Sequence, residues 1–189
     1  MRHKYETRGI VLARSHKGEA SVLVTLLTTD LGFVHVRAQS LRKPGAKLAA
    51  ALVTFAESNV MLVRGKEGWR LTGAVLEENW FVRLGQHAVR ERAARVTGLF
   101  LRLVVGEEQD ARLYPIMRSF FETLSSTPSE AHEAVEILTV LRTLSALGLD
   151  AGDLPAGAPT LTPACLEDVL ANRAVYIGRI NTGLTASGL

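Results

Sequence analysis

One cysteine, Cys165, in 189 residues excludes an intramolecular disulfide and any zinc cluster assembled from several thiolates of this chain. No run of about 18 apolar residues occurs, and the opening Met-Arg-His-Lys passes straight into alternating polar and apolar residues without an apolar leader core. The expectation is a soluble protein of the cytoplasm. Catalytic signatures are missing too: there is no Walker loop, no G-x-S-x-G elbow and no nucleophile beside an evident base. His3, His16, His35, His87 and His132 are scattered, without the His/Cys/carboxylate spacing that closes a metal site. Glu77, Glu78, Glu107, Glu108 and Asp110 fall at element ends, where acids are usually solvated. A non-enzyme with no catalytic residue, metal or cofactor is therefore expected.

What is present is positive charge, unevenly spread. The formal net charge is +3, but residues 1–80 hold 12 Lys/Arg against 7 Asp/Glu, whereas residues 81–189 hold 10 against 12. The excess lies in the half patterned for strands. Apolar residues make up 47% of the chain, enough to fill a core.

The first half alternates with period two. Residues 7–15, with Ile10, Val11 and Leu12, and 21–29, with Val22, Val24 and Leu26, read as a hairpin about the turn 15–18. After Asp30-Leu31-Gly32, residues 33–38 place Val34, Val36 and Ala38 on one face and Phe33, His35 and Arg37 on the other. A break at Lys43-Pro44-Gly45 precedes 46–52, whose alanines and leucines suit about two helical turns that plug one barrel end. Strands 57–63 and 69–76 follow, joined by the compact loop Arg64-Gly65-Lys66-Glu67-Gly68. Five short strands with a small helix between the third and fourth predict an OB-type barrel over 1–80.

Beyond residue 80 the period changes to near 3.6. Helices are expected over 84–105, 113–124 and 129–147, the last opening at Ser129 and closing at Gly148. A loop with three prolines and two glycines spans 150–163, and a short helix follows over 163–171. Residues 175–189 carry no readable pattern. The fold class is α+β: a five-stranded barrel, then an all-α domain over 81–189.

Arg14, Lys17, Arg37, Arg42, Lys43, Lys47, Arg64, Lys66 and Arg70 fall on strand edges and loops of this barrel. Converging cations neutralise phosphates and release counterions, so they are the candidate nucleic-acid contacts, with Arg37, Arg42 and Lys43 foremost. Phe33 and His35 are candidates to stack unpaired bases, although Phe33, like Trp69, equally suits covering the barrel. Tyr5 suits capping the first strand. Two other readings stand beside DNA binding: a protein-docking adaptor built on the barrel, whose cations serve solubility, and an OB protein that binds RNA.

Arg8-Gly-Ile-Val-Leu, Gly18-Glu19, the Thr28-Thr-Asp-Leu-Gly turn, Arg42-Lys43, Lys47-Leu-Ala-Ala-Ala-Leu and Phe55 resemble, in order and spacing, the N-terminal domain of the bacterial recombination mediator RecO. The segment from Glu136-Ile-Leu to Leu147-Gly-Leu is similar to that family's helix before its cysteine region. The resemblance implies an OB-fold joined to a helical domain that binds single- and double-stranded DNA. It also implies annealing of complementary strands and help in loading recombinase, within the RecF pathway of DNA repair at the bacterial nucleoid. Implied partners are DNA, RecR and the C-terminal tail of single-strand-binding protein. The family's four-cysteine zinc site is not matched, because Cys165 stands alone.

The same resemblance gives the helical half a possible partner site. Leu113, Tyr114, Ile116, Met117, Phe120 and Phe121 form an aromatic-rich stripe whose default is core packing. Were it open beside Arg118, then Arg118 and Phe121 would hold an acidic tail with a hydrophobic end.

Overall fold

The structure, a computed structural model, describes residues 3–17, 21–39, 47–104, 106 and 110–189, the side chains of Lys17 and Lys47 excepted. The period-two segments become strands β1 (Lys4–Lys17), β2 (Ser21–Thr28), β3 (Gly32–Gln39), β4 (Ala56–Gly65) and β5 (Gly68–Asn79). They close into a barrel in the order β1-β2-β3-β5-β4. All neighbours are antiparallel except β3 and β5, which run parallel. This is the OB arrangement the strand pattern predicted.

Closure depends on β1, which is long enough to serve two neighbours. Its residues 4–10 pair with β4 and its residues 9–17 with β2, and an irregularity between Val11 and Ala13 bends it from one to the other. Gly9 sits in both ladders. A Cβ there would lie 3.1 Å from Thr28 Cγ2, so a side chain is resisted where the strands press together.

Inside, Val11, Val24, Leu26, Val34, Val36 and Leu62 are withdrawn from water. Each such burial stabilises the fold by about 1.5–3 kcal/mol. The helix α1 (Lys47–Ala51) delivers Ala51 and Leu52 to this interior, and Ser58 Oγ donates to the Ala51 carbonyl at 2.7 Å. The strands run further than the alternation alone predicts. β5 continues through Glu77, Glu78 and Asn79, held by pairing with β4 although these residues are polar.

Where β5 ends, the short helix α2 (Trp80–Arg83) begins. Glu57, 2% exposed, accepts from Trp80 Nε1 at 3.0 Å and from the Tyr114 hydroxyl at 2.7 Å. A buried carboxylate is tolerable only with such donors.

Contacts divide the chain into two compact units, Met1–Arg83 with Val104–Tyr114, and Leu84–Leu103 with Pro115–Leu189. The segment 104–114 thus groups with the barrel, whereas the change of period alone assigns it to the helices. The second unit contains α3 (His87–Leu103), most of α4 (Leu113–Ser126), α5 (His132–Ala146), α6 (Pro163–Ala171) and α7 (Arg173–Ser187). Packed by α3, α6 and α7, α5 buries residues on nearly every face, among them Val135, Leu138, Leu141 and Leu144.

Ser129–Ala131 forms a 3₁₀ turn ahead of α5, and Gly148, at φ 72°, ends it with Leu149 N–H bonded to the Leu144 carbonyl at 2.8 Å. The last helix, α7, has no counterpart in the sequence reading. It packs on α5 through Gly183, whose Cβ position lies 3.0 Å from Leu144 Cδ1. Among the described residues no helix is long and apolar enough to cross a membrane.

Candidate nucleic-acid interface

Two strand pairings build the site. Parallel β3 and β5 set Arg37 beside Arg70 and Val36 beside Trp69, while the β4–β5 hairpin sets Arg64 beside Trp69 and Val63 beside Arg70. The hairpin closes at Gly65 and Gly68, leaving Lys66 and Glu67 at its tip. Gly68 takes φ 94°, so this glycine carries the chain reversal at no steric cost. Sequence spacing and the ladder together bring four cations to one end of the barrel.

They line an open groove of about 670 Å³ with Arg37, Arg64, Lys66 and Arg70 in its wall, Glu67 at its lip and Trp69 beneath. Arg64 lies over the Trp69 ring at 5.2 Å, a cation–π contact that orients the guanidinium. Trp69 is 5% exposed and meets Tyr5 edge to face at 5.1 Å. Its Nε1–H has no acceptor among the described residues. Buried donors of this kind are uncommon, and one bordering a groove marks where an acceptor is wanted.

Glu67 is the single acid of that lining among the described residues. Its carboxylate lies 2.9 Å from Arg37 Nη1, with 80% of the Glu67 side chain and 40% of that of Arg37 exposed to solvent. Lys66 and Arg70 are exposed and have no carboxylate partner among the described residues. Two like charges on adjacent strands, Arg37 and Arg70, repel each other unless an anion lies between them. The groove therefore offers an excess of positive charge, a buried donor and a wall open to solvent.

The remaining sequence candidates divide. Arg14 is exposed near the end of β1, outside the lining of this groove. The Arg42 and Lys43 positions, and the Lys17 and Lys47 side chains, lie outside what the structure describes. His35 is exposed on β3, its Nδ1 3.1 Å from Thr25 Oγ1 and its ring edge to face with Phe33 at 5.4 Å. Phe33 itself is 3% exposed and cannot stack a base, contrary to its place among the candidates. At that barrel end the pleat no longer separates wet from dry faces: Leu26, Leu27, Phe33 and Val34 are all buried. Glu67 and Gln39 escaped the sequence reading; the only signal was a charged residue in a two-residue hairpin tip.

Residues 1–79 match the family model described as recombination protein O, N terminal. The chain is 30% identical over 125 residues to the DNA repair protein RecO of Dehalococcoides mccartyi, a match covering 66% of this chain and 49% of the relative. It is 30% identical over 144 residues to that of Heliobacterium modesticaldum, 76% of this chain and 51% of the relative. With that of Gloeobacter violaceus the identity is 32% over 127 residues, 66% and 48% of the two chains. Residues 1–79 belong to the RecO N-terminal family. The matched stretch spans about half the length of each of these relatives.

The residues of this chain do not fit the zinc site of the resemblance. Cys165 is buried in the helical unit, and burial pushes its thiol above the ordinary range, further raised by Asp168 and partly offset by Arg142. Among the described residues no three His, Cys, Asp or Glu side chains gather as a metal site. The tail site also loses a member. Phe121 is fully buried, its ring 5.4 Å from that of Phe120, because it belongs to the packed stripe of α4. Arg118 remains on the surface, paired with Glu122 at 3.1 Å one helical turn away.

Proposed function

We propose that this chain is a non-enzymatic DNA-repair and recombination protein that gathers DNA strands on the barrel groove and promotes annealing of complementary strands. The observation carrying this reading is the grouping of Arg37, Arg64, Lys66 and Arg70 around one opening, with a single acid among its described lining residues. Two DNA strands repel through their phosphates, and a cationic groove reduces that cost without chemistry. Backbone contact of this kind is indifferent to sequence, which suits a protein meeting any broken end. Family membership and the naming of the relatives as DNA repair proteins support the same role.

Single- and double-stranded DNA, RecR and the tail of single-strand-binding protein are the proposed partners, and recombinase loading is the proposed outcome in the cell. The bacterial nucleoid is the proposed place. No position for the tail follows from Phe121, which is enclosed; Arg118 alone is accessible there. A protein-docking reading draws on one observation, the exposed Val75, Leu76, Phe81 and Val82 at the end of the barrel unit. The two roles can coexist on different surfaces.

The test is a fluorescence annealing assay on complementary oligonucleotides across a salt series. Faster annealing with protein, fading as salt rises, is expected. Rates indifferent to protein and salt would refute the reading, and preferential capture of ribo-oligonucleotides in competition would redirect it to RNA.

A further inference from the structure

The groove contains its own anion. Glu67 stands at the tip of the β4–β5 hairpin with its carboxylate on Arg37 Nη1 at 2.9 Å, at the lip of the opening lined by the other cations. A carboxylate at hydrogen-bond distance from a guanidinium presents the same charge and the same acceptor oxygens as a backbone phosphate. Glu67 is mostly solvated and Arg37 partly so, so the pair is held weakly and can open. No fold requirement is evident for it: Glu67 is 80% exposed, and the reversal is carried by Gly68.

We propose that Glu67 is a built-in phosphate surrogate, a displaceable competitor for Arg37 that sets how tightly and how briefly a nucleic-acid strand is held. The inference rests on the reading that this groove binds DNA backbone. A strand entering the groove exchanges one anion for another at Arg37, so that site yields little net affinity. Lys66 and Arg70, which have no carboxylate partner among the described residues, yield theirs in full. The displaced carboxylate stays close by on the hairpin and recaptures Arg37 as soon as a phosphate leaves. For a protein that must bring strands together and then let the duplex go, quick release matters as much as capture.

The test uses the full chain and a fluorescein-labelled oligo-dT, followed by anisotropy over a salt series and by stopped-flow displacement with unlabelled competitor. Glu67→Gln keeps the shape of the side chain and removes its charge. It is expected to bind about two- to fivefold more tightly at low salt, with slower displacement. Its log–log salt slope should steepen by about 0.7, one further phosphate on a single strand. Arg37→Gln in the Glu67→Gln background should abolish that gain.

Equal affinity, slope and displacement rate in wild type and Glu67→Gln would overturn the proposal. So would weaker binding by Glu67→Gln, which would make the pair a support for Arg37 rather than a competitor. A gain that persists in the double variant would reduce Glu67 to general repulsion and overturn it equally. Absence of binding by wild type and variant alike would instead overturn the DNA-binding reading itself, and melting curves confirm that each variant is folded.

Discussion

The two units handle charge in opposite ways. In the helical unit several arginines meet carboxylates: Arg92 and Arg95 share Glu136, Arg118 meets Glu122, Arg173 meets Glu133 at 2.7 Å, and Arg179 Nε bonds Asp150 at 3.2 Å. In the barrel unit two of the carboxylates are engaged chiefly by neutral donors. Glu57 takes Trp80 and Tyr114, with Arg8 no nearer than 4.0 Å, and Asp30 takes the hydroxyls of Thr7 and Thr29. Among the described residues that line the groove, Glu67 is the one acid. Net charge per unit conceals this difference; what matters is which acids are already occupied.

The sharpest way to break the comparison is to remove equal charge from each unit. Lys66→Gln with Arg70→Gln should weaken oligo-dT binding by about 25-fold or more at about 0.1 M salt, the effect of losing two phosphate contacts. Arg118→Gln with Arg173→Gln removes the same charge from the helical unit and should change affinity less than about twofold, since each already has a carboxylate. Anisotropy titrations measure both. Similar losses in the two variants would mean that total charge, not the groove, collects DNA.

A second prediction concerns the acid held away from the groove. Glu57→Ala leaves the Trp80 indole N–H and Tyr114 hydroxyl without their acceptor in a buried place. Denaturant unfolding should show a loss of about 2–3 kcal/mol, as expected for orphaned buried donors. Glu67→Gln, by contrast, should leave stability unchanged within about 0.5 kcal/mol. The two glutamates would then separate a structural carboxylate from a functional one.

The smallest expected effect is at Asp30, whose carboxyl is held below the usual range by hydrogen bonds from Thr29 and then Thr7. A depressed folded-state pKa contributes stability above the unfolded value and loses it as pH falls through the folded value. Thr7→Val should therefore lower the melting temperature slightly at neutral pH, and the gap to wild type should narrow below about pH 4 as Asp30 protonates in both. A gap constant from pH 7 to pH 3 would assign the loss to Thr7 packing alone.

Much of this molecule could be read from its residues, and the failures share a cause. Period-two stretches identified all five strands because one face of each is dry, and Val34, Val36 and Ala38 are buried as that rule requires. The rule failed at Phe33, where both faces are covered, and fell short along β5, where pairing carries polar residues. Helix α7 stayed hidden because its contact with α5 runs through Gly183, a residue that leaves no apolar stripe. Arg64, Lys66 and Arg70 were legible as charges near a hairpin, whereas their convergence with Arg37 needed the parallel β3–β5 pairing. Glu67 could be weighed only once that pairing put its carboxylate on Arg37. Arg42 and Lys43 lie outside the described residues.

The two tryptophans allow the central claim to be tested in one spectrum. Trp69 borders the groove with an indole N–H that has no acceptor among the described residues, while the Trp80 indole is bonded to buried Glu57. In a ¹H–¹⁵N titration with oligo-dT, the Trp69 indole resonance, assigned by Trp69→Phe, should shift while that of Trp80 stays in place. A Trp69 signal that does not move at saturating DNA, or a shift confined to Trp80, would contradict the account.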